Sequence, residues 1–259
     1  MSDKQDRAHK LVKEFEQRAP KGVFTKIGWA SVAAGLHARI DSPYSIDQGS
    51  SSLCGPAALV VDVASSDPES YAQFVIGLYE KGNAKIKKLD ITPGTDLKNY
   101  ALPASGPNAA DWIPLASIRD SKNWILDYQS VGDQVAGITA PGSLAQWARE
   151  IGYTKVVDKT LPIRWQRTEN LWEAAVRHEV NGYKSFLLIN SHLLDAEPKE
   201  GWGYLPNHWV LLISAQMTNS GDAKLQVYTW GQKRMVPPSG MVSAKVVEAY
   251  YRGFVAAKY

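Results

Sequence analysis

Residues 47–59 read Asp-Gln-Gly-Ser-Ser-Ser-Leu-Cys-Gly-Pro-Ala-Ala-Leu, and they include Cys54, the only cysteine of the chain. This loop of small residues runs directly into the apolar segment 59–64. Pro56 fits the first turn of a helix, where a missing backbone N–H costs nothing, and any of the serines at 50–52 can cap that helix. The stretch therefore predicts that Cys54 lies at or just before the N-terminus of a helix.

A cysteine in this position is suited to act as a nucleophile. The free N–H groups and the positive dipole at a helix N-terminus favour a thiolate over a thiol. Gln48, six residues upstream, is a neutral donor on a flexible loop that can fold back towards the sulfur. A nucleophile with an oxyanion hole needs such a donor. A lone cysteine is more commonly a small buried packing residue, but the Gly, Ser and Pro residues that flank Cys54 are not typical of a core.

The segment 48–57 resembles the active-site segment of papain-like cysteine peptidases. In that family a Gln-Gly pair precedes the nucleophile by the same six residues, and the cysteine opens the central helix. The second cysteine and the aromatic residue found near the nucleophile of papain are absent here. The run 53–57 is closer to divergent members, namely bacterial effector and toxin proteases and the domains that trim leader peptides. The resemblance implies a helical lobe with the nucleophile, an antiparallel β lobe with the base, and an active-site cleft between them.

The hydrophobic periodicity agrees with an α+β fold, because helical patterns come first and strand patterns follow. Helices are predicted at 4–18, 28–40, from Cys54 to about 65, 69–81, 143–152 and 170–180, and strands at 184–190, 208–215, 225–230 and 233–236. We expect one papain-like domain over 1–259. It would comprise an N-terminal helical extension (1–45), a helical lobe (46–182) and a β lobe (183–259).

The general base must come from one of five histidines, which are His9, His37, His178, His192 and His208. His208 opens the apolar run 208–213 and follows the turn-rich segment 201–207. It lies 154 residues after Cys54, close to the ~130–150 residues of papain-type spacing. We predict that His208 is the base, and His192, which follows the end of a predicted strand, is the alternative.

The residue that orients the histidine departs from the pattern of the family. The pair Trp230-Gly231 resembles the family's Asn-Ser-Trp-Gly segment, but the Asn position falls on Tyr228. The Asp position of the leader-trimming domains falls on Thr229. We expect Thr229 to orient the ring through its hydroxyl, with a main-chain carbonyl or Gln232 as alternatives. The resemblance also implies that Trp230 and Trp209 contact the substrate.

Composition and motif spacing argue against several other classes of protein. One cysteine excludes an internal disulfide framework, and a net charge of +3 with dispersed Lys and Arg does not indicate nucleic-acid binding. Metal-ligand spacings such as C-x₂-C are absent, as are phosphate-loop and dinucleotide glycine patterns, so we expect no metal and no cofactor. Residues 1–7 lack the apolar region of a secretory signal, and no run approaches the ~18 apolar residues of a membrane span.

Together these features predict hydrolysis of peptide bonds in a protein substrate by a Cys54 thiolate and a His208 base, with Gln48 at the oxyanion. The resemblance implies a bacterial effector or toxin that is made in the cytoplasm and exported without a signal peptide into a target cell. Its implied partners are secretion machinery and a cognate inhibitor, but an ordinary cytoplasmic enzyme fits the residues equally well. The same residues suit a deamidase, amidase or transamidase. The missing Asn or Asp favours a catalytically inactive papain-like binding module.

Overall fold

The computed structural model describes residues 3–102, 106–122, 138–201 and 204–259. Helices and strands are mixed, and neighbouring strands pair in an antiparallel manner in both sheets. The α+β class predicted from the sequence is confirmed at this level. By the density of its internal contacts the chain divides into two units, one of residues 1–129 with 230–232 and one of residues 130–229 with 233–259.

The first unit is mainly helical. Its elements are α1 (Asp3–Arg18), α2 (Trp29–Asp41), α3 (Cys54–Ser66), α4 (Pro68–Lys81), the hairpin β1 (Ala84–Ile86) and β2 (Leu89–Ile91), α5 (Thr95–Lys98) and α6 (Ala109–Lys122). Helix α4 packs on α1 and α3, and α6 packs on α2, α3 and α4. Helix α4 ends at Gly82, whose φ of 73° suits glycine. The helices predicted at 4–18, 28–40 and 69–81 are confirmed.

Helix α3 forms the centre of this unit, because every residue from Cys54 to Ala64 is buried. A helix that is apolar on all sides is expected to be buried on all sides. Pro56 lies in its first turn, as predicted. The predicted serine cap is wrong, since Leu53 occupies the N-cap position and no side chain accepts a hydrogen bond there. The hydroxyl of Ser51 instead donates to the carbonyl of Gln48, within the preceding loop.

The second unit is built on a six-stranded sheet. Its elements are α7 (Pro141–Ile151), β3 (Lys155–Thr160), α8 (Arg167–Glu179), β4 (Lys184–Ile189), β5 (His208–Met217), β6 (Ala223–Thr229), β7 (Gln232–Val236), α9 (Ala244–Tyr250) and β8 (Tyr251–Lys258). The strand order is β3-β8-β4-β5-β6-β7. Strands β4 and β8 are buried along nearly their whole length, and α8 packs on β4, β5 and β8. The four strands predicted after residue 182 are confirmed.

The register of the sheet brings the ends of particular strands together. Ile189 at the end of β4 lies opposite His208 at the start of β5. Leu211 of β5 lies opposite Tyr228 near the end of β6. The start of β5 and the end of β6 therefore lie at the same end of this antiparallel pair, where His208 and Thr229 are found. Among the residues described, no helix is both long and apolar enough to cross a lipid bilayer.

Candidate functional site

Cys54 is the first residue of α3 and is 3% exposed. The first α-helical hydrogen bond runs from the amide of Ala57 to the carbonyl of Leu53, at 2.9 Å. The amides of the first turn have no partners within the helix itself. The sulfur therefore lies at the positive end of a fully packed helix, where a negative charge is favoured.

The loop before Cys54 is held by hydrogen bonds within itself. The side-chain amide of Gln48 donates through Nε2 to the carbonyl of Ser51 at 2.7 Å, and the Ser51 hydroxyl donates back to the carbonyl of Gln48. The amide of Gly49 donates to Oδ1 of Asp47 at 2.9 Å. Gly49 has a φ of 61°, which glycine adopts without strain. Gln48 is consequently fixed in the loop and only 6% exposed.

A buried ion pair anchors the start of the same loop. Arg39 of α2 makes a bidentate pair with Asp111 of α6, with Nε–Oδ1 and Nη2–Oδ2 distances of 2.9 and 2.6 Å. Oδ2 of Asp111 also accepts the backbone N–H of Asp47 at 3.1 Å. Burial raises the pKa of Asp111, and the bonds from Arg39 oppose that shift. Burial acts to lower the pKa of Arg39, but the hydrogen bonds and charge of Asp111 raise it overall.

The predicted base lies in the second unit. His208 is 4% exposed, and its Nε2 lies 2.7 Å from Oγ1 of Thr229, which is itself 2% exposed. Thr229 was expected to orient the ring, and the structure contains this hydrogen bond; a catalytic role for either residue stays a prediction. Burial lowers the pKa of His208 to about 4. The imidazole is therefore neutral at pH 7.

The two tryptophans predicted to contact substrate have different surroundings. Trp209 is 1% exposed, and its indole N–H donates to the carbonyl of Thr139 at 2.8 Å. Because its ring has almost no accessible surface, we give Trp209 a packing role beside His208. Trp230 is half-buried and has a φ of 44°. It remains the candidate for substrate contact.

Trp230 and Gly231 form the two-residue turn between β6 and β7, and both have positive φ values, 44° and 70°. Hairpin turns with two such residues favour Asn-Gly or Gly-Gly, so a tryptophan here is strained by about 1–3 kcal/mol. A Cβ added to Gly231 would lie 2.9 Å from Cβ of Asp47. Both residues belong to the first unit, and this contact requires glycine at position 231.

The remaining histidines have other partners. His192 is 60% exposed, and its Nδ1 lies 3.0 Å from Oδ2 of Asp195. Nε2 of His178 is 3.0 Å from the carbonyl of Ile213. His9 and His37 join α1 to α2 through their Nδ1 atoms, 2.6 Å apart. Within the described ranges, no group of three or more His, Cys, Asp or Glu side chains is arranged to hold a metal ion.

The sequence predictions did not include Arg39 and Asp111. A signal for Asp111 is present, because it is a charged residue in the apolar run 109–118 of a helix, where the only reason to keep a carboxylate is a buried partner. The identity of that partner could not be read from the sequence. Arg39 is one of several basic residues in the first 40 positions, and spacing does not distinguish it from the others.

The candidate residues thus fall into two groups, Cys54 with Gln48 in the first unit and His208 with Thr229 in the second. Residues 202 and 203, in the turn-rich segment predicted before His208, lie outside the described residues. No protein-family model matches the chain, and neither the curated proteins nor the solved structures contain a significant match to it.

Proposed function

We propose that this protein is a papain-like thiol hydrolase that cleaves peptide bonds of a protein substrate, with Cys54 as nucleophile and His208 as base. The observation that carries the proposal is the hydrogen bond between His208 and Thr229, because both side chains are buried and burial lowers the pKa of His208 to about 4. Burying two polar groups contributes less to stability than burying apolar ones. Perturbed, buried titratable groups of this kind are concentrated at functional sites.

The proposed reaction is an acyl transfer through a thioester. As the sulfur of Cys54 bonds to the carbonyl carbon, its proton moves to Nδ1 of His208, and the carbonyl π electrons move to the oxygen. That oxyanion is bound by the backbone N–H of Cys54 and by the second N–H of the Gln48 amide. Collapse breaks the C–N bond, and the proton passes from His208 to the leaving amine. Water then hydrolyses the thioester, with His208 accepting its proton.

The bond to Thr229 supports this division of roles on the imidazole. With Nε2 engaged by the threonine hydroxyl, the ring is held in one orientation, and Nδ1 is the nitrogen assigned to proton transfer. A hydroxyl lacks the charge of a carboxylate, so it stabilises the imidazolium less. A thiol needs less help from its base than a serine does, because it ionises more easily.

The test compares protein termini in cells that express the wild-type chain with those in cells that express Cys54→Ala. New termini in the wild-type sample alone are the expected result. Deamidation would instead give a small mass increase in glutamine residues without new termini, and transamidation would give crosslinked peptides. Either would replace the peptidase assignment while keeping the nucleophile. Identical samples, together with no labelling of Cys54 by an electrophilic peptide, would favour the inactive binding module.

Variants then assign the individual roles. Gln48→Ala should lower turnover by about 10²–10³, the usual effect of losing one oxyanion donor. Loss of the bond to the Ser51 carbonyl should lower stability by only about 0.5–1.5 kcal/mol. His208→Ala should lower turnover further. His178→Ala is the matched control, because it removes an imidazole of α8 in the same unit that is not a candidate for the base.

A specific observation keeps His192 as the second candidate for the base. The Nδ1 atom of His192 is bonded to the carboxylate of Asp195, whereas His208 is bonded to the hydroxyl of Thr229. A carboxylate at Nδ1 fixes the tautomer in which Nε2 is the basic nitrogen. If His192→Ala abolishes turnover and His208→Ala does not, the base is His192.

The biological setting is also a proposal, which rests on the resemblance to bacterial effector proteases. We infer an exported toxin that is restrained in the producing cell by a cognate inhibitor. Its expression inside a bacterial target should be toxic, and the toxicity should disappear in Cys54→Ala. Equal growth of the two strains would contradict the toxin assignment and leave an ordinary cytoplasmic hydrolase.

A further inference from the structure

Helix α8 of the second unit has two apolar faces. One face, which includes Leu171 and Ala174, is buried, and the helix packs on β4, β5 and β8. The other face carries Trp172 and Val176, and Val180 follows directly after the helix ends. These three side chains are four residues apart and all are exposed. The outer face of a surface helix is normally polar, so this exposed apolar stripe indicates a surface that binds something.

The stripe forms one wall of a groove, which we call the α8 groove. Two cavities of about 410 and 160 Å³ lie between α8 and the end of β5, and Trp172 and Met217 line both of them. The smaller cavity extends to Val180. The larger one ends at the β5–β6 turn, where a Cβ added to Gly221 would lie 3.1 Å from Cγ2 of Thr168. The groove therefore follows α8 from its end back to its first turn.

The opposite wall of the groove is the end of β5, which extends beyond its partner β4. Strand β4 pairs with β5 over residues 208–211, whereas β6 pairs with β5 as far as Met217. Ala223 lies opposite Met217, but its amide and carbonyl bond to Val242 on its other side. Met217 and Ala223 are therefore a pair without mutual hydrogen bonds, and the backbone groups of Met217 point away from β6.

This edge of β5 has backbone groups to offer to another chain. Ala215, two residues before Met217, points the same way, and its amide donates to Oε1 of Glu179 at the end of α8, at 3.0 Å. Among the residues that the structure describes, the amide of Met217 has no hydrogen-bond partner. A strand edge in this state can pair with an extended segment of another protein.

The charges of the groove indicate what kind of segment fits. Glu169 lines the larger cavity and Glu179 the smaller one, and no lysine or arginine lines either. Both glutamates are exposed, and ten residues of helix separate them by about 15 Å. The arginines of the same helix are engaged elsewhere, since Arg177 pairs with Glu173 and Arg167 donates to backbone carbonyls. The groove is thus apolar along its centre and acidic at both ends.

We propose that the α8 groove binds an extended segment of another protein that has apolar side chains at alternate positions and a basic residue at each end. The segment continues the sheet beside Ala215 and Met217, and side chains two residues apart, about 7 Å, enter the two cavities. Basic ends pair with Glu169 and Glu179, and five to seven extended residues cover the distance of about 15 Å between them. A segment with acidic ends is rejected because like charges repel.

The proposed binding does not depend on the proposed reaction. None of the candidate catalytic residues lines the groove, which belongs entirely to the second unit. Peptide binding by a protein that cleaves nothing would uphold this inference and leave the hydrolase assignment rejected. Cleavage by a protein whose groove binds no peptide would do the reverse.

The experiment uses defined peptides and the full-length protein. One set of fluorescent peptides is Lys-Thr-Xaa-Thr-Xaa-Thr-Lys, in which Xaa is Val, Leu, Ile, Met, Phe, Tyr or Trp, and a second set has Glu in place of both Lys residues. Fluorescence anisotropy measures the dissociation constants. Trp172→Ser removes the side chain shared by the two cavities. Trp165→Ser is the matched control, since it removes an exposed tryptophan that lines neither cavity. Glu169→Gln is matched by Glu197→Gln, which removes an exposed carboxylate elsewhere in the unit.

Peptides with Lys ends should bind, and at least about tenfold more tightly than those with Glu ends. Trp172→Ser should weaken binding by at least about tenfold, and Trp165→Ser should leave it unchanged. Glu169→Gln should weaken it by about twofold to fivefold at low salt, as expected for one exposed ion pair, and Glu197→Gln should not. The proposal is overturned if no Lys peptide binds, if the two sets bind equally, or if binding survives Trp172→Ser.

The backbone of β5 provides a readout that needs no variant, so it decides the question even if Trp172→Ser fails to fold. Hydrogen exchange of the Met217 amide is followed by NMR with and without the tightest Lys peptide. Strand pairing should slow this exchange by at least about tenfold, because the amide gains a hydrogen-bond partner. An unchanged exchange rate at Met217 with the peptide bound would contradict strand addition and overturn the proposal.

Discussion

The two units hold their candidate residues in opposite ways. In the first unit, Cys54 follows a loop fixed by side-chain hydrogen bonds and by the buried pair of Arg39 and Asp111. In the second, His208 is part of a sheet, and its ring is fixed by burial and by one bond to Thr229. Hydrogen bonds and an ion pair hold the loop before the sulfur, whereas exclusion of water lowers the pKa of the imidazole. The loop should therefore be sensitive to the loss of single polar groups, and the sheet to changes of pH.

The largest effect is expected for Arg39→Met. This change leaves the carboxylate of Asp111 buried without its cation, and breaking one side of a buried ion pair costs about 3–5 kcal/mol. Urea unfolding followed by tryptophan fluorescence measures the loss. The double variant Arg39→Met/Asp111→Leu should recover part of the stability, because it no longer buries a charge. If Arg39→Met unfolds at the wild-type midpoint, the pair is not the anchor of the loop.

The next effect distinguishes the second unit by its response to acid. The pKa of His208 is about 4 in the folded protein and about 6.5 when unfolded, so the neutral ring favours folding. This stabilisation is fully present above pH 6.5 and is lost as the pH falls to about 4, a change of about 3 kcal/mol. The free energy of unfolding should decrease as the pH is lowered from 6.5 to 4.

The control for this pH dependence is His208→Gln, which keeps a polar side chain but does not titrate. Carboxylates contribute to the wild-type curve as well, so the relevant quantity is the difference between the two proteins. That difference should decrease from pH 6.5 to pH 4. Parallel curves would show that His208 is not held neutral by the sheet.

Elements with a strong period could be predicted from the sequence, and elements that depend on distant partners could not. The apolar run 184–190 and the helix pattern 69–81 correspond to β4 and α4 because burial is encoded in their own residues. Strand β3 was missed because none of its residues is buried. Helix α7 begins at Pro141, not after a capping Ser143, because proline at the first position already sets the helical φ.

The candidate site shows the same limit. Cys54, Gln48 and His208 could be selected because each lies next to a change of pattern, where a loop meets a helix or a strand begins. The bond between His208 and Thr229 depends on the register of β5 against β6, which a one-residue slip would destroy. Arg39 acts through its tertiary contact with Asp111, and no spacing in the sequence links Arg39 to the loop before Cys54.

A smaller effect is expected for Thr229→Val, which keeps the shape of the side chain but removes the hydroxyl. A buried Nε2 of His208 would lose its partner, at a cost of about 1–3 kcal/mol. Thr229→Ser, which keeps the hydroxyl, is the control. Denaturant unfolding together with the NMR chemical shifts of the imidazole measures both stability and ring orientation. Unchanged shifts in Thr229→Val would indicate that the sheet alone fixes the ring.

The smallest change in stability is expected for Ser51→Ala. It removes the hydroxyl that bonds the carbonyl of Gln48 in a partly exposed loop, and one such bond contributes about 0.5–1.5 kcal/mol. The rate of turnover should fall by a larger factor than this loss of stability accounts for, since the hydrogen bond that holds the Gln48 backbone is lost. Thermal unfolding and initial rates of the same preparation make the comparison. A loss of stability without a loss of rate would mean that the loop does not position the oxyanion donor.

The place of β8 in the sheet has a consequence for how the protein is made. This strand, Tyr251–Lys258, is inserted between β3 and β4, which are translated some 60 to 100 residues earlier. Domains tend to form in order as the chain leaves the ribosome, so most of the unit that carries the cysteine is available for folding first. The sheet that contains His208 remains incomplete until residue 258 has left the ribosome. A nascent chain would thus carry Cys54 in a formed helix before the sheet around His208 is complete.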